Sequence, residues 1–241
     1  MPLEKRDDRV SELLDADSLD DAAIDANLRD IRRINGVLGW KAFTVQRVGK
    51  IIQQLSLPSV KLLDVCAGSA DMPLAIANWS RQQSIDTSIV ATDIAPQIVR
   101  IAKQQAKDVH SIRVETANAL DLPYADHSFD IVLCTLALHH FDPDKAAKLL
   151  QNMARVGKHL LVFDIERSTL AYLGAVLLTR VIPMNYMTRH DAPVSVRRAY
   201  TVREIQHIIQ QAGLTHSVAV HADFPFRLVI ETTHTVKEDA S

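Results

Sequence analysis

The chain has 241 residues, 47% of them hydrophobic, and a formal net charge of −2. That is enough apolar material for one well-filled core, and with no Lys/Arg run a nucleic-acid partner is not expected. The charged start, MPLEKRDDRVSELLD, lacks the apolar stretch of a signal peptide. The longest uncharged run, residues 168–179, is about 12 residues against the roughly 20 needed to cross a bilayer, so a cytoplasmic protein without a transmembrane segment is expected.

The first 18 residues mix charges and read as frayed or loosely helical. Ser18 or Asp20 can cap a helix toward Asn35, with Ile24, Leu28, Ile31 and Ile34 at helical spacing, and Asn35-Gly36 reads as a break. A second helix runs from Lys41 to Leu55. After Pro58, strand patterns at 61–66, 89–92, 112–115, 129–135 and 159–163 alternate with helical patterns at 73–82, 96–107 and 143–156. Asp142 is a natural N-cap and Gly157 a natural helix stop. Residues 118–126 form a loop. Residues 168–182 are a nearly all-apolar helix and 183–196 read as irregular. Thr201 and Glu204 form a capping box for a helix ending at Gly213, and strands at 216–220 and 226–231 pair around 223–225. Strands alternating with helices imply a parallel sheet covered on both faces. We expect a helical N-terminal extension, 1–56, followed by a single α/β domain, 57–241, with a lid insertion at about 166–200.

In such sheets ligands bind beyond the carboxyl ends of the strands. The loop CAGSAD after the first strand, with Ala67, Gly68, Ser69, Ala70 and Asp71, lets a ligand approach the backbone and the N–H groups of the next helix. Asp93, followed by Ile94, ends the second strand, where a carboxylate can accept both hydroxyls of an adenosine ribose. A nicotinamide dinucleotide site would need three glycines in GxGxxG, and this loop has one. Cys66 and Cys134 lie in apolar runs and read as buried free thiols, and without a Cys/His ligand spacing no metal is expected.

These residues resemble the class I S-adenosylmethionine-dependent methyltransferases, of the group that contains ubiquinone- and menaquinone-type enzymes. Asp64–Asp71 resembles the first motif, D-x-G-x-G-x-G-D. LPYADHSFDIV, 122–132, resembles LPF-x-D-x-SFD-x-V, and LHHF, 138–141, is similar to the family's end of the fourth strand. The resemblance implies a Rossmann-like seven-stranded sheet with the last strand antiparallel, and S-adenosylmethionine as cofactor. It places the amino-acid end of the cofactor on Asp64 and the 67–71 loop, the ribose on Asp93 and the adenine on Asn118, Ala119 and Leu120, with Thr135 and Leu136 beside it. The chain departs at two motif glycines, which are Cys66 and Ala70 here; a side chain held at positive φ costs about 1 kcal/mol. Weakened cofactor affinity, or a non-catalytic relative of the same fold, is the alternative this departure leaves.

Methyl transfer is an in-line displacement that relies on alignment and desolvation. His139 and His140 stand just past the fourth strand. One of them, His140 in preference, is expected to face the acceptor as general base. The 168–182 helix would supply an apolar wall through Tyr172, Leu173, Val176 and Leu177, joined by Met184, with Tyr186, Arg197 and Tyr200 as polar anchors. Together these point to a small hydrophobic hydroxylated acceptor, phenolic, polyketide-like or a quinone precursor, methylated on oxygen in preference to carbon. A monomer or homodimer, with peripheral membrane contact through the apolar helix, is the expected state.

Overall fold

The computed structural model describes residues 3–16 and 20–233. Eight helices and seven strands are present among them: α1 (Asp21–Val37), α2 (Trp40–Leu55), β1 (Ser59–Val65), α3 (Asp71–Gln82), β2 (Asp86–Asp93), α4 (Pro96–Ala106), β3 (Ile112–Thr116), β4 (Phe129–Thr135), α5 (Pro143–Val156), β5 (Gly157–Ile165), α6 (Thr169–Val181), α7 (Tyr186–Arg198), α8 (Val202–Gln211), β6 (Val218–Asp223) and β7 (Arg227–Thr232). The strands form one sheet in the order β3-β2-β1-β4-β5-β7-β6. All pair in parallel from β3 to β5, and β7 alone runs antiparallel to its neighbours.

Alternation along each strand sorts the core into two layers. Leu63, Val65, Val132, Cys134, Leu160 and Val162 face α5 and α8, whereas Leu62, Ile89, Ile131, Leu133, Leu161 and Phe163 face α2, α3 and α4. Strand order reverses between β1 and β4, which have helices on opposite faces. The crevice beyond their carboxyl ends is therefore the natural ligand position. Above it, α1, α6 and α7 pack on one another, and α7 also rests on the 138–140 turn that follows β4.

Several boundaries differ from the sequence expectation. The strand β2 begins at Asp86 because its polar start pairs in register with Ser59 and Val60, an edge the hydrophobic pattern does not mark. Helix α1 runs through Asn35-Gly36. It stops where Gly39 adopts φ 74°, a conformation open to glycine, and Asp20 supplies its cap by accepting the Ala23 N–H at 3.2 Å. The other cap candidate, Ser18, lies outside the described residues. Gly157 does stop α5, its N–H donating to Met153 O, but with extended φ and ψ in place of a left-handed cap, because it is also the first residue of β5. A Cβ there would sit 2.4 Å from the Val132 side chain, so close strand packing explains the glycine. Residues 183–196, expected to be irregular, are mostly α7. Asn185 caps it, and Pro193 is tolerated inside it because Met187, Thr188, Asp191, Val194 and Val196 are buried.

The first residues are not loosely helical. Residues 3–16 are irregular, with turns around 3–5 and 8–9 and a 3-10 turn at Leu13–Asp15, and they lie against α7. Asp191 accepts the N–H groups of Leu13 and Leu14, and Arg197 and Asp7 bond through both side chain and backbone. This segment reaches the turn after β4, which ties it to the site.

Candidate functional site

The loop after β1 is built on left-handed backbone. Cys66, Gly68 and Ala70 take φ values of 56°, 53° and 60°. Two of these positions carry a Cβ, a strain of the kind stored at functional sites. The loop is held by Ala67 N–H donating to Thr92 O at 2.8 Å and by Gly68 N–H donating to the Asp93 carboxylate at 3.1 Å. Ala70 is the N-cap of α3, and Ser69 and Asp71 are buried beside it. The position of a Cβ on Gly68 has no heavy atom within 4 Å, so the loop presents open backbone there. Asn35 of α1 donates to Asp71 at 3.1 Å, which brings the N-terminal helices over the loop.

Asp93 accepts from Gly68 and Ala95. Burial nonetheless raises its carboxyl above the usual range, with these N–H groups opposing. Ile94 next to it is exposed. Asn118 closes a short turn by accepting the Leu120 N–H at 2.9 Å, Ala119 is buried, and Leu120 O accepts from Asn152. At the end of β4, Leu136 has φ 56° and donates its N–H to Phe163 O at 2.7 Å.

Two buried polar atoms here, Asp64 Oδ1 and Thr135 Oγ1, find no hydrogen-bond partner among the described residues. They stand on β1 and at the end of β4, at the sheet's switch point. A zwitterionic ligand with an ammonium group and hydroxyls supplies what they lack. Burial pushes the Asp64 carboxyl well up, and Asp71 and Asp93 push in the same direction. Its folded value lies above the unfolded 3.8, so the folded state loses stability as pH rises out of the acid range through that folded value. Asp64→Asn should therefore raise the melting temperature of the ligand-free protein by a few degrees at pH 8. The gain should shrink toward pH 4, and thermal melts across that range check both statements.

The histidine pair lies on the 138–140 turn. His139 is buried, its Nδ1 2.8 Å from Asp164 Oδ1 and its Nε2 3.3 Å from Glu12 Oε1. Burial pushes this imidazole down, but Asp164 and Glu12 more than reverse it and raise it to about 10. Glu12 is held down at about 2: burial opposes ionisation, while His140, His139 and the Ser195 hydroxyl outweigh it. His140 is the more open ring, with Nδ1 3.0 Å from Asp15 and Nε2 3.8 Å from Glu12. Arg6 and Arg198 fix the turn by donating to its carbonyls.

The anchors named from sequence sit differently. Tyr200 is buried under Arg6 and donates its hydroxyl to Phe141 O at 2.7 Å, so it braces the turn. Arg197 is paired with Asp7 at 2.6 Å. Leu173 and Leu177 point to solvent along with Leu170 and Val181, so α6 turns its most apolar stripe outward; Tyr172 and Val176 are half-buried. Met184 lines a shallow apolar cleft between α1 and α6, and Tyr186 is exposed. Glu12, Asp15, Asp164 and Arg6 escaped the sequence reading. Asp164 alone carried a signal, a carboxylate at the end of an apolar strand; the rest come from chain brought in over long sequence distances.

Residues 62–159 match the family described as a methyltransferase domain. That stretch is a methyltransferase domain, set in the fold of the class I S-adenosylmethionine-dependent methyltransferases. The "Ubiquinone/menaquinone biosynthesis C-methyltransferase UbiE" of Vibrio parahaemolyticus is 27% identical over 210 residues, 78% of each chain. The "Demethylmenaquinone methyltransferase" of Staphylococcus saprophyticus is 24% identical over 140 residues, 57% of this chain and 58% of that one. The chain spans little more than half the length of several such relatives. A structure described as a putative S-adenosyl-L-methionine-dependent methyltransferase from Methanococcus maripaludis shares the methyltransferase fold with a TM-score of 0.63 at 16% identity, covering 95% of this chain and 99% of that one. The domain's cofactor is S-adenosylmethionine. No helix among the described residues is long and apolar enough to cross a membrane.

Proposed function

We propose that the protein transfers a methyl group from S-adenosylmethionine to a hydroxyl oxygen of a small hydrophobic acceptor, phenolic or of quinone-precursor type. The observation that carries this reading is the pair of unpartnered buried atoms, Asp64 Oδ1 and Thr135 Oγ1, flanking the open Gly68 backbone with Asp93 beside it. In this reading Asp64 and the 67–71 loop hold the amino-acid end of the cofactor, Asp93 its ribose, and the 118–120 turn with Ile94, Thr135 and Leu136 its adenosine. When bound, the cofactor supplies an electrophilic methyl on a sulfonium. The protein supplies alignment and exclusion of water.

His140 is the acceptor-side residue, because His139 is enclosed by Asp164 and Glu12 whereas His140 keeps an open edge. Its influence on Asp93 supports a position near the cofactor side. The outward aliphatic stripe of α6, with exposed Arg180 beside it, fits peripheral contact with a lipid surface that holds a lipophilic acceptor. A cytoplasmic protein is consistent with this reading. The names of the relatives favour carbon as a second target.

Calorimetric titration with S-adenosylmethionine and its demethylated product, followed by a phenol and hydroxyquinone screen read by mass spectrometry and NMR, tests the proposal. Micromolar binding and a methoxy product are expected, with turnover reduced by roughly 100-fold or more in His140→Ala. A new carbon–methyl bond would move the reaction to carbon. Tight binding with no product across the panel would support a non-catalytic cofactor-binding protein, and no binding of either ligand would sink the reading.

A further inference from the structure

Where the N-terminal segment crosses the turn after β4, at the rim of the cofactor crevice, Glu12 meets both histidines. We propose that Glu12, His139 and His140 form a site for a divalent transition-metal ion of the zinc type. Their ligand atoms all lie within 4.8 Å of one another. His139 Nε2 is 3.3 Å from one Glu12 oxygen, and His140 Nε2 is 3.8 Å from the other. An ion with tetrahedral bonds of about 2.0–2.1 Å to nitrogen and oxygen separates its ligands by about 3.4 Å, so the three groups stand close to ligand spacing before any ion enters.

The outer contacts point the same way. A metal-binding imidazole normally donates its second N–H to a carboxylate or carbonyl, which sets the tautomer and aims the other nitrogen. Both rings do this here: His139 Nδ1 meets Asp164 at 2.8 Å and His140 Nδ1 meets Asp15 at 3.0 Å, leaving both Nε2 atoms directed at Glu12. Those carboxylates are themselves held, Asp164 by the N–H groups of His139 and Ile165 and Asp15 by Arg198. Glu12 Oε1 accepts from Ser195 at 2.7 Å. The rings lie 4.4 Å apart and tilted by 32°, compatible with both facing one point. Glu12 and His139 are buried, which limits competition from water.

Two imidazoles and one carboxylate suit zinc, iron or cobalt. Magnesium and calcium take oxygen ligands and do not fit this set. Three protein ligands leave a coordination position open, the composition of catalytic rather than purely structural zinc sites. Such an ion would pin the N-terminal segment to the β4 turn and could acidify a hydroxyl placed beside it, with His140 then acting as ligand. The site stands on its own residues and does not depend on the methyl-transfer reading.

The full-length protein, stripped with a chelator, should be titrated with Zn2+ against a chromophoric competitor. It should also be loaded with Co2+ for visible spectroscopy. One equivalent bound with sub-micromolar affinity and a cobalt d–d band of four- or five-coordinate intensity are expected. His140→Ala and Glu12→Gln should each weaken binding at least 100-fold, while His207→Ala, an exposed histidine bonded to its own helix, leaves it unchanged. Circular dichroism of the metal-free variants separates lost ligation from lost folding. Absence of both stoichiometric zinc and the cobalt band in the wild-type protein overturns the site whatever the variants do. Equal affinity in wild type, His140→Ala and Glu12→Gln overturns it by placing the metal elsewhere.

Discussion

Asp93→Ala should weaken S-adenosylmethionine binding by at least about 100-fold, with the demethylated product affected equally. A carboxylate accepting two ribose hydroxyls makes two charge-assisted bonds, each worth about 1.5–3 kcal/mol, and every 1.4 kcal/mol is about a factor of ten. The residue also organises the protein side: it accepts the Gly68 N–H at 3.1 Å and the Ala95 N–H at 3.0 Å, so its removal frees the loop as well as the ribose. Asp93→Asn keeps one acceptor oxygen and should fall between the two. Calorimetry on the three proteins decides the matter, and an unchanged affinity in Asp93→Ala would remove the ribose role. A melting temperature close to wild type would show that the loss belongs to the ligand and not to the fold.

Glu204→Ala should destabilise the protein by about 3–5 kcal/mol, enough to lower its melting temperature by roughly 10 °C. Arg167 is almost fully buried and its guanidinium is met by both Glu204 oxygens, at 2.9 and 2.7 Å. Removing the carboxylate leaves a buried cation with, among the described residues, only the Ala199 and Leu3 carbonyls as partners. It also breaks the capping box of α8, because Glu204 accepts the Thr201 N–H at 2.8 Å. Part of the penalty is softened by the partial exposure of Glu204. The comparison is Asp126→Ala: Asp126 pairs with Arg155 at a mostly exposed site, where such bridges contribute about 1 kcal/mol or less. Similar shifts in the two variants would show that the Arg167 pair is not the clamp described here. Because Arg167 also holds the carbonyls at Leu3 and Ala199, the loss should spread to the N-terminal segment, visible as faster amide exchange over residues 3–16.

Much of the frame was legible because it is encoded locally. Pro96 and Pro143 open α4 and α5, Asp142 caps α5, and Thr201 with Glu204 caps α8, all from side chains within a turn of the helix they start. Helix α7 was not legible, since Pro193 and a weak apolar pattern hide a helix stabilised by burial of Met187, Val194 and Val196. The apolar residues of α6 announced a helix, but nothing in their spacing told that Leu170, Leu173, Leu177 and Val181 would face solvent.

The sequence by itself determined the alternating α/β order, the loop after β1 and the carboxylate ending β2, because period, caps and short motifs are properties of neighbouring residues. Only the tertiary structure decided that Cys66 and Ala70 keep the backbone of the glycines they replace. It alone brought Glu12 and Asp15 onto the histidine turn, more than 120 residues away in the chain. Such encounters depend on how distant segments close over one crevice, and no local propensity records that.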